Sequence, residues 1–524
     1  MKRKIFTLLF FLILILSLSS CSLLFGEVSL EYDYDPQKAD EIKALMVDAE
    51  GYLESGTDYD KYYEAYIEIN MFAYQLITNY QKENIKYSMD GNSESPVKMQ
   101  EFYTIFMEIV EWQIDILIET YNSSYKDEFF KDWSEEEIQS IFDSDYPNEY
   151  YTLSTKEEEL TTKFQAFDRE GKINNAASYL IELTSIRNQM AKVVENDNYA
   201  LFAYDSVYGR DYSITEAATF SSYVKKYLVP LAYKLDDELK KTEEALTDAE
   251  YYEVHSELFA NSFNDREIVD DYVREIGNPF SYEYNYMINR GHCYYSNHPN
   301  ARQAAFTTYL YWDRLPAVYF GPGYQNSFTI VHEYGHYYAA ARTNEITSSN
   351  DLAETHSQAN EMLFLAYLMQ FSEYSEAQKS YIEARQLYEA LCVIIISSII
   401  NEFEMQVYQS VEPLTAEALD LMCKSVCDGY GGYQAVIDNT GYDAVSYWKL
   451  VCVEHPCYYI SYAMSLIPSI GVYEMAMNDF DNAKNCYLDL CEVKDVDFLE
   501  ALSASNFYNP FNEDVYINLS ELIG

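Results

Sequence analysis

A chain of 524 residues is long enough to bury a large core in more than one domain. Its formal net charge of −51 argues against nucleic acid as a partner, because that class of partner is bound by a basic surface. Such acidity mainly favours solubility, and a preference for cationic peptides is a second, weaker interpretation. Only 12 prolines and 17 glycines occur, which favours long helices over many short strands, so we predict a mainly α fold.

The N-terminus has the pattern of an exported lipoprotein. The basic start MKRK precedes the apolar run IFTLLFFLILILSL, which is too short to span a bilayer comfortably and has no stop-transfer charges after it. The run closes on Leu18-Ser19-Ser20-Cys21, which resembles a bacterial lipobox. We predict a signal peptide over residues 1–20 and a lipid anchor on Cys21 that holds the chain outside the cytoplasm, on the bacterial cell membrane. A plain signal peptide and an uncleaved anchor are the alternatives.

The remaining chain divides into three predicted parts. Residues 21–38 predict a tether that leaves the membrane. Residues 39–250 predict an N-terminal helical region, because apolar residues recur there at helical spacing almost throughout. Residues 251–524 form a second region, in which the chemistry-bearing motifs lie.

Local signals place some helix starts and one helix distortion. Ser134 with Glu137, and Thr155 with Glu158, have the spacing of a capping box, in which each side chain bonds the backbone of the other. Each pair therefore predicts the first turn of a helix. Pro230 is expected to kink the long apolar-periodic stretch that contains it, because proline cannot donate the helical hydrogen bond.

The pattern changes over residues 280–328. NPFSYEYNYMINRGHCYYSNHPN is rich in turn-formers, and the short β-like run Ala317 to Phe320 follows, closed by Gly321-Pro322-Gly323. Helical signal resumes at Phe328. The sequence therefore predicts a small sheet element directly before the next motif, inside a mainly helical protein.

The segment IVHEYGHYYAAAR, residues 330–342, predicts one face of a metal site. His332 and His336 are four apart, so both project from nearly one face of a helix and can reach one zinc ion at about 2.0–2.1 Å. Glu333 lies beside such an ion, where its carboxylate accepts a proton from zinc-bound water. The alternative is a surface helix with two spare histidines. The apolar residues around the polar trio favour the metal, because buried polar groups need partners.

A catalytic zinc has three protein ligands and a water, so a third ligand is needed. The metzincin pattern fails, because Ala339 and Arg342 stand where it requires glycine and histidine. Glu354 follows His336 by 18 residues, which is enough for a helix end, a loop and a returning helix. We predict Glu354 as the third ligand. Its alternative is a capping role, with Asp351 as the N-cap of the returning helix.

Two further positions on the returning helix bear on the class of site. Glu361 follows Glu354 by about two helical turns and shares its face, so we predict that it holds a ligand histidine through the other ring nitrogen. A thermolysin-like enzyme would have an aspartate at position 358, where this chain has Gln358. The pattern therefore differs from that of thermolysin.

These motifs resemble the oligoendopeptidase F and thimet oligopeptidase family of zinc metallopeptidases. That family has H-E-x-G-H and then a helix with a ligand glutamate and another glutamate seven residues on, as His332 to His336, Glu354 and Glu361 stand here. RGHCYYS and LPAVYFG resemble the glycine-rich segment of the family and the strand that lies along bound peptide. The resemblance covers roughly residues 290–465. It implies a helical two-lobed ellipsoid with a deep substrate channel, which admits short unstructured peptides.

The family also has a C-terminal cluster of one histidine and several tyrosines, and VEHPCYYISYAMS is its counterpart here. The resemblance implies that Tyr458 and Tyr462 donate hydrogen bonds to the oxyanion of the tetrahedral intermediate, with His455 assisting. The two tyrosines are four apart, hence on one helical face. With 55 tyrosines in the chain, packing in the core is the alternative for each of them.

The sequence thus predicts a zinc metallopeptidase with one Zn²⁺ per chain, which hydrolyses short extracytoplasmic peptides with Glu333 activating a zinc-bound water. The alternative is a membrane-anchored peptide- or solute-binding lipoprotein without catalysis. That alternative explains the acidity and the lipobox, but not a general-base glutamate inside an intact ligand set. Substrate preference, the choice between endopeptidase and carboxypeptidase action, disulfide pairing and the oligomeric state are left open by the residues.

Overall fold

The computed structural model describes residues 29–523, except 33, 144–145, 166, 168, 348, 434–442 and 495. The predicted signal peptide and Cys21 lie outside the described residues. The chain forms two compact units, each assembled from two separate segments. The first unit takes in the chain up to Tyr146 together with Ala260–Ile346, and the second takes in Pro147–Phe259 together with the chain from Thr347 onward.

The first unit contains long helices and the sheet. Its helices are Pro36–Ser55, Tyr59–Asp90, Ser95–Tyr121, Lys126–Phe129, Glu135–Asp143, Glu267–Ile276, Phe280–Asn289 and Ser327–Thr343. Its strands are β1 (Cys293–Tyr295), β2 (Ala305–Leu310) and β3 (Leu315–Phe320). The last helix carries the HEYGH motif and is called the HExxH helix below.

Tyrosine supplies much of the core of the first unit. Tyr62 and Tyr66 are buried on one helix, and their ring centroids lie 5.9 and 5.1 Å from that of Phe129. The hydroxyl of Tyr62 pairs with the hydroxyl of Thr120. A buried tyrosine packs through its ring while its O–H finds a partner, as happens here. The abundance of tyrosine in this chain therefore serves packing as well as any chemistry.

The predicted sheet element before the motif is confirmed and is larger than predicted. The strand order is β1-β3-β2, with β1 parallel and β2 antiparallel to β3. Every residue of β3 is buried, as is typical of a central strand with both faces covered. The sequence predicted only Ala317 to Phe320 of this strand. It missed β1 and β2 because neither alternates cleanly between apolar and polar residues.

A helix also occurs where turns were predicted. Phe280–Asn289 is helical despite its turn-forming residues, so the turn-rich prediction is wrong for this part of residues 280–328. Phe280 is fully buried, and its ring centroid lies 4.6 Å from that of Tyr334 and 4.9 Å from that of Tyr338. Burial against the HExxH helix overrides the local preference, as tertiary contacts commonly do.

Gly321 follows β3 and permits the chain to turn toward the HExxH helix. A Cβ atom there would lie 2.0 Å from the carbonyl oxygen of Arg302, which no larger residue could accommodate. The HExxH helix then begins with Asn326 as its N-cap, whose side chain accepts the N–H of Thr329 at 2.9 Å. The predicted return of helix at Phe328 is therefore confirmed to within one residue.

The second unit, in its described residues, is built from helices. They are Asn148–Gln165, Arg169–Val193, Tyr199–Phe202, Ile214–Tyr223, Val229–Ala245, Asp248–Val254, Asn350–Phe371, Glu376–Gln409, Ala416–Gly429, Ala444–Val451, Ile460–Asn478, Phe480–Leu490, Phe498–Ala504 and Glu513–Ile523. Wider π-helical turns occur at Ala203–Val207, Val224–Leu228 and His255–Phe259. Below, Asn350–Phe371 is called the glutamate helix and Ile460–Asn478 the tyrosine helix.

The sequence predicted a kink at Pro230, and the structure shows a change of helix type there. Its long helical stretch changes to π-helical hydrogen bonding over Val224–Leu228, and a new α-helix begins at Val229 with Pro230 in its first turn. Proline lacks the N–H that would bond the preceding turn, and its ring crowds the carbonyl four residues back. The helix therefore alters its hydrogen-bond pattern just before the proline.

One predicted helix start is confirmed and the other is wrong. The N–H of Glu137 donates to the hydroxyl of Ser134 at 3.1 Å, and the N–H of Ser134 donates to the carboxylate of Glu137. Thr155, by contrast, lies inside the helix Asn148–Gln165, where its hydroxyl donates to the carbonyl of Tyr151 at 3.0 Å. A capping pattern that occurs within a longer helical segment does not start a new helix.

One helix of the second unit has the length and composition of a membrane span. Among the described residues only Glu376–Gln409 is long and apolar enough to cross a membrane. Of its most apolar 18 residues, 78% are buried inside the protein. A mostly buried apolar helix is typical of the core of a globular unit, because all its faces are covered by other helices. This helix contacts the tyrosine helix and the glutamate helix.

Candidate active site

The HExxH helix presents its two histidines side by side. The ring centroids of His332 and His336 are 5.0 Å apart and their planes are inclined by 79°. Both rings are partly exposed, whereas Glu333 between them in sequence is 5% exposed. The helical period therefore places two nitrogen donors on one face and a shielded carboxylate beside them.

The glutamate helix begins at Asn350, whereas the capping alternative for Glu354 requires Asp351 to be the N-cap. Ser349 is its N-cap and accepts the N–H of Leu352 at 3.3 Å, so Asp351 is already inside the first turn. Glu354 is one turn further on and is 6% exposed. The capping interpretation of Glu354 is therefore wrong. A buried carboxylate in this position needs a charged or hydrogen-bonding partner instead.

The predicted ligands are brought together. One ligand atom from each of His332, His336 and Glu354 lies within 4.8 Å of the other two, and this is the only such cluster among the described residues. Tetrahedral zinc with bonds of about 2.1 Å separates its ligand atoms by roughly 3.4 Å. Two imidazoles and one carboxylate are a donor set that zinc prefers, so these residues fit the ion with a small contraction.

Glu333 has a hydrogen-bond donor that sequence reasoning missed. The hydroxyl of Thr307, on β2, lies 2.8 Å from the Oε2 atom of Glu333. No local pattern in the sequence marks this contact, because it depends on how the sheet packs against the HExxH helix.

Tyr458 and Tyr462 lie together, although not as predicted on one regular helix. The tyrosine helix begins at Ile460, so Tyr458 lies just before it in an irregular turn. The two rings meet edge-on with centroids 5.3 Å apart. The ring of His455 is 6.0 Å from that of Tyr458 and is partly exposed. The predicted cluster of one histidine and two tyrosines is therefore assembled by this turn.

Tyr458 bonds directly to a predicted ligand. Its hydroxyl donates to the Oε1 atom of Glu354 at 2.8 Å. Burial and the negative charge of Glu354 raise the pKa of Tyr458 well above its ordinary value, so the phenol stays protonated and remains a donor. The sequence predicted an oxyanion donor at this position, whereas the structure shows a donor to the carboxylate of Glu354.

Arg210 links the glutamate helix to the tyrosine helix, and sequence reasoning did not single it out. Its guanidinium donates to the carbonyl of Cys457 at 2.8 Å and to the hydroxyl of Ser461 at 3.1 Å. It also faces the carboxylate of Asp351 at 3.7 Å, and both charged side chains are almost completely buried. A buried pair of this kind adds little net stability, because the desolvation of both charges offsets their attraction.

Two further buried side chains hold the turn that presents Tyr458. The Oε1 atom of Glu404 accepts the N–H of Cys457 at 2.9 Å, and Arg187 donates to the carbonyl of Val453 at 2.8 Å. Burial raises the pKa of Glu404 to about 8, so this carboxyl is largely protonated at neutral pH. The irregular turn is therefore anchored at both ends by side chains distant in sequence.

Gln358 stands where a thermolysin-like enzyme has aspartate, and its contacts differ accordingly. Its Oε1 atom accepts the hydroxyl of Ser465 at 2.6 Å, and its amide nitrogen reaches the carbonyl of Tyr462 at 3.5 Å. Gln358 thus connects the glutamate helix to the tyrosine helix. Glu361, two turns beyond Glu354, is partly exposed, and its assignment to a ligand histidine stays a prediction.

The ligand set and the helical fold define a class of protein. Two histidines from an HExxH helix and a glutamate from the next helix are the donor arrangement of gluzincin-type metallopeptidases, and the chain has the helical fold that the resemblance implied. No family model matches the sequence, and no curated protein matches it.

Comparison with solved structures shows which known proteins share the fold of this chain. A PZ peptidase A structure with an inhibitor is similar with a TM-score of 0.75 at 18% identity, covering 94% of this chain and 98% of that one. A proposed oligoendopeptidase F is similar with a TM-score of 0.75 at 18% identity, covering 94% and 97%. A proposed oligoendopeptidase F from Bacillus anthracis has a TM-score of 0.72 at 16% identity, covering 96% and 98%. The chain has the fold of these oligoendopeptidase structures over nearly its whole length.

Proposed function

We propose that the chain is a zinc-dependent metallopeptidase, in which His332, His336 and Glu354 hold the ion and Glu333 is the general base. The observation that carries this proposal is the convergence of the three ligand atoms within 4.8 Å. A glutamate adjacent in sequence to the first histidine completes the requirements of a hydrolytic zinc site. The peptidase names of the similar structures support peptides as the substrates.

Each protein group has a definite task in this proposal. Bound zinc would supply a Lewis acid that acidifies water and polarises the scissile carbonyl. The carboxylate of Glu333 takes a proton from the attacking water and then delivers it to the leaving amine. Because Glu333 is only 5% exposed, its charge is weakly screened by solvent.

Tyr458 and Tyr462 have different tasks. The hydroxyl of Tyr458 has a single hydrogen, which it gives to Glu354, so Tyr458 orients that carboxylate. The hydroxyl of Tyr462 also bonds to that of Tyr458. In the proposal it turns to donate to the oxyanion when substrate binds, with His455 assisting. The contact of the two rings at 5.3 Å keeps them in one cluster.

Because Tyr458 and Tyr462 have different tasks, replacing each by phenylalanine is expected to impair a different property of the enzyme. Tyr458→Phe is expected to weaken zinc affinity about tenfold, because the supporting partners of metal ligands contribute effects of that size. Tyr462→Phe is expected to lower kcat about 100-fold with zinc affinity unchanged, as for the loss of one oxyanion donor. Competition with a chromogenic chelator measures the first effect, and peptide cleavage kinetics measure the second.

The control for both is Tyr459→Phe, because the hydroxyl of Tyr459 bonds to Tyr447. It is expected to change neither zinc affinity nor kcat. Loss of zinc affinity in Tyr462→Phe and loss of kcat alone in Tyr458→Phe would contradict the division of tasks.

We also propose that the substrates are short peptides outside the cytoplasm and that Cys21 carries a lipid anchor. The basic start, the short apolar run and the Leu-Ser-Ser-Cys sequence support this location. Labelled palmitate should be incorporated into the wild-type chain and not into Cys21→Ser. Equal labelling of the two would remove the anchor from the proposal without affecting the zinc site.

The function itself is tested on the purified chain without its first 21 residues. We expect about one zinc per chain, cleavage of a mixed peptide pool detected by mass spectrometry, loss of cleavage with chelator and recovery with added zinc. Protein that retains peptides intact and contains no zinc would favour the alternative, a membrane-anchored peptide- or solute-binding lipoprotein without catalysis.

A further inference from the structure

The hydroxyl of Thr307 lies against the carboxylate of Glu333, the proposed general base. Its Oγ1 atom is 2.8 Å from Oε2 of Glu333 and 3.1 Å from the carbonyl oxygen of the same residue. A hydroxyl donates one hydrogen, and a carboxylate is the stronger acceptor, so the shorter contact is the donated bond. The Glu333 side chain is buried, where such a bond is stronger than in water.

The donor belongs to a rigid element. Thr307 lies in β2, where it is the register partner of Val318 in β3, and Val318 is fully buried. A β-branched side chain in a strand has few accessible rotamers, so the hydroxyl is restricted in direction. The same sheet contacts the HExxH helix, which carries Glu333. The distance from Thr307 to Glu333 is therefore set by ordered backbone on both sides.

We propose that Thr307 is a positioning residue for Glu333. This inference rests on the proposed function. The bond to Oε2 restricts rotation of the carboxylate about its last side-chain bond, which fixes the carboxylate relative to His332 and His336 on the same helix. Proton transfer requires the base within about 2.6–3.2 Å of the proton's donor atom, so a carboxylate that turns freely spends less time in the reactive orientation.

Three single substitutions test this positioning. Thr307→Val keeps the shape of the side chain and removes the hydrogen bond, and is expected to lower kcat about 10- to 100-fold, the effect of losing a bond to a charged group. KM and zinc content should be unchanged. Thr307→Ser restores a hydroxyl and should recover most of the loss. Thr308→Val is the matched control, because successive strand residues face opposite sides, and it should retain the wild-type kcat.

Assays of the wild type and of Glu333→Gln, run alongside these variants, distinguish a failure of this inference from a failure of the proposed function. If wild type cleaves peptides and Thr307→Val keeps its kcat, or raises KM alone, or is not rescued by serine, the positioning role is overturned while the function stands.

If wild type does not cleave, the proposed function fails, and the positioning role fails with it. The melting temperature of the metal-free protein reports the contact independently of activity. Thr307→Val should lower it in the wild-type background and lower it less in a Glu333→Ala background, because only the carbonyl oxygen of residue 333 then remains as an acceptor. An equal decrease in both backgrounds would also overturn the inference.

Discussion

Glu333→Gln is expected to lower kcat for peptide cleavage by about three orders of magnitude while zinc remains bound at about one per chain. The amide has the shape of the carboxylate but cannot accept the proton of the attacking water. The ligands His332, His336 and Glu354 are unchanged, so the metal is retained. Cleavage of a quenched fluorescent peptide measures kcat, and elemental analysis measures zinc.

The matched control is Glu83→Gln, which alters another buried carboxylate in the same unit. Glu83 accepts the hydroxyls of Ser95 and Tyr32, each at 2.6 Å, so its substitution should lower the melting temperature. It should not change kcat at a temperature where the variant is folded. Full activity in Glu333→Gln, with zinc present, would end the assignment of the general base.

Glu354→Gln is expected to weaken zinc affinity by at least about 100-fold, more than the effect of losing a supporting residue. The amide is neutral and a poorer ligand for zinc than a carboxylate. In wild type, zinc should raise the melting temperature because it binds the folded chain, whereas in Glu354→Gln the increase should largely disappear. The measurements are chelator competition and melting temperature with and without zinc.

Glu361→Gln is the comparison for this prediction, since both glutamates lie on the glutamate helix and only Glu354 belongs to the ligand cluster. Glu361 is predicted to orient a ligand histidine, so its loss should weaken zinc affinity by about 10- to 100-fold and no more. If Glu361→Gln loses zinc more readily than Glu354→Gln, the third ligand has been assigned to the wrong glutamate.

Short-range patterns predicted most of the fold. Scarce proline and glycine indicated a mainly helical chain, which is confirmed. The confirmed Ser134 capping box depends on a few consecutive residues, as does the change of helix type before Pro230. The failures have two causes. Thr155 lies inside a longer helical segment, so its capping pattern starts no helix. At Phe280, burial against the HExxH helix overrode the local preference for turns.

The sequence by itself determined the features that one helical period governs. His332 and His336 share a face because they are four apart, and Glu333 must then lie beside them. Only the tertiary structure decided that the hydroxyl of Tyr458 bonds to Glu354 and that Thr307 bonds to Glu333.

The physical reason for this division is the range of the forces involved. Backbone hydrogen bonding repeats at a constant spacing, so contacts within a helix can be read from residue numbers. Contacts between elements depend on the path of the loops and on side chains far away in sequence. Arg210 and Glu404, for example, hold the turn around Cys457 from more than fifty residues away, and no period in the sequence connects them.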